Sequence, residues 1–271
     1  MGAAFTGRVY MKILFLGDVV AKSGREAVIR NIKPLKSEYG ADFVIVNGEN
    51  AAHGKGITAT IYSRLVGAGA DIVTLGNHAY SKKEIIKNMD LCPSLVFPAN
   101  LHTSSGAKGY VIKDVYGTKI AVVSLICEAF MCEVEDSPVN TMERLLNQIE
   151  ADQIIVDLHG ESTGEKMIFA RYFADRVTAV IGTHTHVQTA DERIINNSCA
   201  FISDVGMCGA YDSVLGRDAE EMINRHIHKE QTRYTPATGP SIICGCLIET
   251  DDKTGKAVRI ERIQRRPSGS Y

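Results

Sequence analysis

The chain has no apolar run long enough to span a membrane. Its longest, such as VTAVI and FVIVN, are strand-sized, whereas a bilayer helix needs roughly 20 residues. The N-terminus has no charged segment leading into an apolar one, so no secretory signal is legible. Charge of one sign is also missing: 30 Lys and Arg face 32 Asp and Glu, so no overall field favours a polyanion or an acidic membrane. No CxxC occurs. The seven cysteines (Cys92, Cys127, Cys132, Cys199, Cys208, Cys244 and Cys246) leave an odd one over, which argues against a disulfide framework or a structural zinc and predicts reduced thiols. Cys244 and Cys246 lie in the alternating run SIICGCLIE and read as strand residues on one face. No low-complexity linker or internal repeat divides the chain. These absences predict a cytoplasmic protein with one domain over residues 11–266, preceded by a leader over 1–10.

With 45% hydrophobic residues the chain can bury a full core. MKILFLGDVV is an apolar run ending in Gly-Asp, and the following SGREAVIRNIKPLKSEYG has helical spacing closed by Gly40. This β-loop-α pattern recurs in DFVIVNGEN with TATIYSRLVGAGA, and in DIVTLGNH with SKKEIIKNM. GYVIKDVYGTKIAVVSLI then reads as an antiparallel hairpin around Tyr116-Gly117. Helix PVNTMERLLNQIEA, strand QIIVDLHGE, helix TGEKMIFARYFAD and strand VTAVIG follow. The tail holds ERIINNSCAFISDVG, a helical AEEMINRHIHKEQ and a last strand pair, SIICGCLIET and AVRIERI. The pattern predicts an α/β fold, layers of mixed β-sheet flanked by helices, with room for a small helical cap within 207–235.

Polar residues gather just past the strand ends: Asp18, Glu49 with Asn50, Asn77 with His78, His159, then His184 and His186. A single residue there is more often a helix cap than a ligand, and an isolated His-x-His is a weak signal. Five consecutive strands delivering such groups to one sheet edge is another matter, because ligands collect at the carboxyl ends of strands in α/β sheets. Carboxylate, amide and imidazole without thiolate suit Mn, Fe or Zn. Eight groups are too many for one ion and about right for two that share a carboxylate.

The blocks GD (17–18), NGEN (47–50), GNH (76–78), LHGE (158–161) and GTHTH (182–186) resemble those of calcineurin-like metallophosphoesterases. With GDVV, NGENAA, THTHVQTADERI and SDVGMCGAYDSVLG they are similar, in order and over nearly the whole chain, to the bacterial YmdB-type branch. The resemblance implies a binuclear-metal phosphodiesterase acting on 2′,3′-cyclic or 3′,5′-cyclic nucleotides by in-line attack of a hydroxide bridging two ions, Fe or Mn ahead of Zn. It implies that Asp18, Asn50 and His186 hold one ion, that Asn77, His159 and His184 hold the other, and that Glu49 bridges. His78, beside a ligand but not needed as one, is assigned the leaving-group proton. The superfamily's Asp-x-His is here Asp18-Val19-Val20, and Glu49 stands where Asp is usual. Asn50 then offers an amide oxygen in place of the missing imidazole. Ala79 replaces the acid that commonly follows Gly-Asn-His, which leaves the partner of His78 unseen.

His53 in AAHGKGI, and Asp212 with Ser213 in YDSVLG, are candidate substrate contacts, each with a plain loop or turn as the competing reading. His102, His226 and His228 have no partner pattern and read as surface or capping residues. Ser23-Gly24 reads as a helix cap before an anion site, and KAVRIERIQRR as an exposed strand face with a tail. No obvious arginine clamp stands near the motifs, which favours a singly charged diester over a phosphate dianion. The expected partner is a small phosphodiester, with no membrane; an RNA contact and self-assembly stay open. Two rivals remain: a phosphomonoesterase or nucleotidase, and a metal-bound regulator that binds a nucleotide or RNA without turnover. Metal-dependent amidohydrolases carry His-x-His at the end of the first strand, whereas here it follows four other ligand strands.

Overall fold

A computed structural model describes residues 10–101, 106–132 and 134–267. Positions 1–9 of the expected leader, and His102, lie outside them, while Tyr10 is already in the first strand. The chain begins with β1 (Tyr10–Leu16), β2 (Asp18–Val19), α1 (Ala21–Tyr39), β3 (Phe43–Asn47), α2 (Ala59–Ala68), β4 (Ile72–Thr74), α3 (Lys83–Lys87) and β5 (Leu95–Val96). The hairpin β6 (Tyr110–Val115) and β7 (Thr118–Ile126) follows, then α4 (Pro138–Leu146), β8 (Gln153–His159), α5 (Thr163–Phe173) and β9 (Ala179–Thr183). Last come β10 (Arg193–Ile195), β11 (Cys199–Ile202), β12 (Met207–Ala210), α6 (Ala219–His226), β13 (Ser241–Asp251) and β14 (Ala257–Arg265).

Two sheets form. The first has the order β2-β12-β13-β1-β3-β4-β5, with β14 beside β13; the second has β10-β11-β9-β8-β7-β6. Their centres are parallel, β1-β3-β4-β5 and β7-β8-β9-β11. Antiparallel strands flank them: β13 on β1, β6 on β7 and β10 on β11. Alternation along each strand explains why the runs look uniformly apolar. Ile13 and Phe15 of β1 pack between the sheets with Ile45, Ile155 and Ile181. Leu14 and Leu16 face the other way, against Val28, Ile32 and Leu35 of α1. Both faces of the strand are buried, so no polar alternation survives. Met142 of α4 and Phe169 and Phe173 of α5 cover the outer face of the second sheet. The result is four layers, helix, sheet, sheet, helix, the α/β class expected.

Local chemistry sets the ends. Gly40 closes α1 at φ 62°, its N–H reaching the Ser37 carbonyl. Ser137 caps α4 by accepting from Asn140 N at 3.0 Å. Ser23 does neither job expected of it: α1 starts at Ala21, and the Ser23 hydroxyl donates to the Ala237 carbonyl at 3.1 Å. Gly24 is required by close approach, since a Cβ there would lie 2.0 Å from the Cys208 carbonyl oxygen. Cys244 and Cys246 share one strand face, and all seven cysteines are free thiols. Within 207–235, β12 completes the first sheet and only α6 is helical, ending at His226 where the apolar spacing had suggested a longer helix. No helix among the described residues is long and apolar enough to cross a membrane.

Candidate metal centre

The two sheets meet at the carboxyl ends of their parallel strands. From the first sheet come Asp18 in β2, Glu49 and Asn50 after β3, and Asn77 and His78 after β4; from the second come His159 at the end of β8 and His184 and His186 after β9. Asp18, Glu49 and His159 are fully buried and Asn50 nearly so. In one cluster the Asn50 amide nitrogen lies 3.3 Å from Asp18 Oδ1 and 3.1 Å from His186 Nε2, which is 3.8 Å from Asp18 Oδ1. In the other, His159 Nε2 lies 2.9 Å from Asn77 Oδ1, 3.1 Å from His184 Nδ1 and 3.8 Å from Glu49 Oε1. The clusters are joined by the His184 backbone N–H, which donates to Asp18 Oδ2 at 3.2 Å. Glu49 is fixed by the N–H groups of Gly76 and His78, each donating to one carboxylate oxygen. Among the described residues no three His, Cys, Asp or Glu side chains make such a cluster alone; in each triad one member is an asparagine.

All three imidazoles are held through the outer nitrogen. His159 Nδ1 meets Thr183 Oγ1 at 2.8 Å, His184 Nε2 lies 3.4 Å from Glu161 Oε2, and His186 Nδ1 donates to the Leu215 carbonyl at 3.0 Å. A carbonyl only accepts, so His186 carries its proton on Nδ1, and Nε2 turns a lone pair toward the Asp18 carboxylate. In this structure the Asn50 amide nitrogen bridges these two acceptors, at 3.3 and 3.1 Å, and orienting partners on the outer nitrogens are what metal-bound histidines have. His184 and His186 sit at φ 107° and 67°. Non-glycine residues rarely adopt such values, and strain of this kind concentrates at functional sites.

Electrostatics point the same way. Asp18, Glu49, Asp157 and Asp204 are all fully buried around the centre, with Lys166 the one lysine or arginine among the described residues buried to the same degree. Burial first, and then Asp18, push the Glu49 carboxyl well above its ordinary range, and burial takes Asp157 up to about 7. Burial likewise holds His159 well below an ordinary imidazole and lowers His184, which keeps their lone pairs free. This oxygen- and nitrogen-rich, electron-rich donor set fits divalent cations.

A supporting layer was not legible in the sequence. Asp157 accepts from Asn47 at 2.9 Å, Thr74 at 2.6 Å and Thr183 at 2.7 Å, and so steadies the hydroxyl that holds His159. Lys166 donates to the Thr183 and Ser203 carbonyls at 2.7 and 2.9 Å and lies 3.4 Å from Asp204. Asp204 in turn accepts the Thr185 N–H at 2.8 Å, pinning the loop between the two histidines. A carboxylate inside the apolar run of β8 was the available signal for Asp157, whereas Lys166 looks like any helix lysine. Gly76 is needed because a Cβ would lie within 2.4–2.5 Å of the His159 ring.

A pocket of about 310 Å³ opens over the centre, lined by Asn50, Asn77, His78, His184 and His186, and on its outer side by Lys55, Leu215, Arg217 and Tyr234. An arginine therefore does stand near the motifs, delivered from some thirty positions beyond His186 in the sequence. The half-buried His78 lies in this pocket; burial, and then Lys55, lower its imidazole to about 4. His53 instead lines a neighbouring cavity of about 840 Å³ beside α1. Ser213 holds a turn, donating to the Ala210 carbonyl at 2.7 Å and accepting from Gly216 N at 2.9 Å. Asp212 is exposed and is not part of the pocket wall.

A model of the family described as YmdB-like protein matches residues 14–263. Over 254 residues the chain is 44% identical to the 2′,3′-cyclic-nucleotide 2′-phosphodiesterase of Bacillus subtilis, covering 93% of this chain and 96% of that protein. The crystal structure of a novel phosphatase from Mycoplasma pneumoniae superposes with a TM-score of 0.89 at 34% identity, over 95% of this chain and 94% of that one. That of a hypothetical protein from Thermus thermophilus gives 0.88 at 34% identity, over 95% and 100%.

Proposed function

The chain belongs to the YmdB-like protein family, and from that premise we propose that it is a phosphoric diester hydrolase that opens 2′,3′-cyclic nucleotides at a centre made for two metal ions. The observation that carries this reading is the set of three imidazoles anchored by their outer nitrogens, whose inner nitrogens enter the space shared with Asp18 and Glu49. Asp18, Asn50 and His186 would hold one ion, the Asn50 amide turning its oxygen inward, and Asn77, His159 and His184 the other, with Glu49 common to both. Manganese or iron bound there would neutralise a phosphoryl anion and lower the pKa of an attacking water.

The chain's own residues do the rest. Glu49 cannot swing away, because the N–H groups of Gly76 and His78 each hold one of its oxygens. Lys55 gives the pocket a cationic side for a diester anion. Opening the ring releases the ribose 2′ oxygen as an alkoxide, which needs a proton, and we assign its donation to His78, which lines the pocket. The imidazole is neutral near pH 7 in the free protein, and the negative charge of bound substrate raises its proton affinity.

Manganese-loaded protein assayed on 2′,3′-cyclic AMP, 3′,5′-cyclic AMP, bis(4-nitrophenyl) phosphate and 4-nitrophenyl phosphate is expected to favour the diesters, with 2′,3′-cyclic AMP foremost. Faster turnover of the monoester would make the protein a phosphatase; no turnover of any would leave a metal-bound regulator. His78→Ala should keep both ions and lose about 10²- to 10⁴-fold in rate on 2′,3′-cyclic AMP. It should lose far less on bis(4-nitrophenyl) phosphate, whose nitrophenolate leaves without a proton. Equal losses on the two substrates would remove His78 from the acid role.

A further inference from the structure

The outer side of the pocket holds none of the proposed metal donors: Leu215 lies in the YDSVLG block, Arg217 directly follows it, and Tyr234 comes from farther along. Apart from Lys55, it is built by the excursion between β12 and β13, which folds back over the centre. A tight two-residue turn at Leu215-Gly216 is closed on both sides, Val214 N donating to the Arg217 carbonyl and Arg217 N to the Val214 carbonyl, each at 2.9 Å. Leu215 (φ 53°) and Gly216 (φ 87°) are both left-handed. The Leu215 carbonyl takes the His186 Nδ1 proton, so the turn is registered to the centre by a hydrogen bond, while its side chain is 49% exposed at the pocket mouth.

Arg217 is not set up as a phosphate clamp. Its Nε and Nη2 edge is occupied by Glu221, with contacts of 2.7, 2.8 and 3.2 Å, and Glu221 also accepts from Thr232 at 2.6 Å. The guanidinium is thereby neutralised and held over the Tyr234 ring, 4.7 Å from its centroid. Tyr234 in turn packs over Gly54, where a Cβ would lie 1.9 Å from its hydroxyl. One guanidinium nitrogen, Nη1, keeps no hydrogen-bond partner among the described residues. A charge-compensated guanidinium over an aromatic ring, beside an exposed leucine and with one spare N–H edge, is complementary to a heteroaromatic ring, which offers apolar faces and acceptor edges.

We propose that Leu215, Arg217 and Tyr234 form a nucleobase wall, so that the cyclic phosphate meets the metal centre while the base lies against this wall. The proposal rests on the phosphodiesterase reading and adds that recognition is by the base, not the phosphate alone. Leu215 is the residue that tests it most directly. Glycine fits φ 53° better than leucine does, and the carbonyl that holds His186 is kept, so Leu215→Gly removes the side chain without undoing the turn.

The experiment measures kcat/KM of manganese-loaded parent, Leu215→Gly and Tyr234→Ala on 2′,3′-cyclic AMP and on methyl ribofuranoside 2,3-cyclic phosphate, which lacks a base. Each variant should lose about ten-fold or more on the cyclic nucleotide, mainly in KM, and several-fold less on the base-free diester. The melting temperature of Leu215→Gly should hold or rise. Equal losses on the two substrates would overturn the wall and assign these residues to the phosphate or the fold. Equilibrium binding of 3′-AMP against ribose 3-phosphate reads the same wall without turnover. A parent that hydrolyses neither diester but prefers 3′-AMP in a Leu215-dependent way would sink the proposed reaction and keep the wall; no preference for 3′-AMP would overturn the wall whatever the activity.

Discussion

At the scale of single residues the proposed centre divides into groups that would touch a cation and groups that aim them. Glu49 stands beside the second triad, 3.8 Å from His159 Nε2, and under the field of Asp18 in the first. Glu49→Ala should therefore lose both ions, whereas His186→Ala, which removes one donor from the first triad only, should weaken one. Metal content per chain after dialysis at fixed free manganese checks this, and two ions retained by Glu49→Ala would make the bridging assignment wrong. Asn50 lies between Asp18 and His186, its amide nitrogen 3.3 and 3.1 Å from them. Val20 itself is buried with Met207 and Cys244, away from the donors.

At the scale of elements, the loop after β9 is the most demanding piece, since it holds two histidines at positive φ. Helix α5 steadies it from behind: Lys166 bonds the carbonyl that precedes His184 and pairs with Asp204, which holds Thr185. Lys166→Met leaves Asp204 buried without its cation and should cost about 3–5 kcal/mol of folding stability, the usual consequence of stripping one partner from a buried pair. Urea denaturation measures it. Adding Asp204→Asn to the first change should recover part of the loss, and a single variant as stable as the parent would show that this helix does not anchor the loop. The short elements were the hardest to delimit in sequence: α3 is five residues long and β2 is two, too brief for a periodic signal.

At the scale of the whole molecule the centre lies on the seam between two sheets, with Asp18, Glu49, Asn50 and Asn77 from one and His159, His184 and His186 from the other. Ions bound there would tie the sheets together and offset the excess of buried carboxylate. Saturating manganese at about 100 times its dissociation constant should stabilise the fold by about 2.7 kcal/mol per site, seen as a melting temperature several degrees above that of EDTA-treated protein. In Glu49→Ala the difference between manganese and EDTA should nearly vanish. An unchanged melting temperature in the parent would mean that the sheets close equally well without the ions.

The sequence by itself determined most of the order of strands and helices and named the polar residues that gather at the seam, because strand periodicity, closing glycines and the residue after each strand are local properties of the chain. Which donors meet, and through which atom, was decided by tertiary structure. Asp18 and His184 touch across 166 positions, the proton on His186 is fixed by the carbonyl of Leu215, and the thiol-free layer of Asp157, Thr183 and Lys166 is assembled from separate elements. Arg217 and Tyr234 carry no local mark of the pocket they line; they reach it only because the chain returns over the centre before β13. Contacts between segments far apart depend on how two sheets pack, and packing is set by the summed burial of many side chains, which no short stretch of sequence contains.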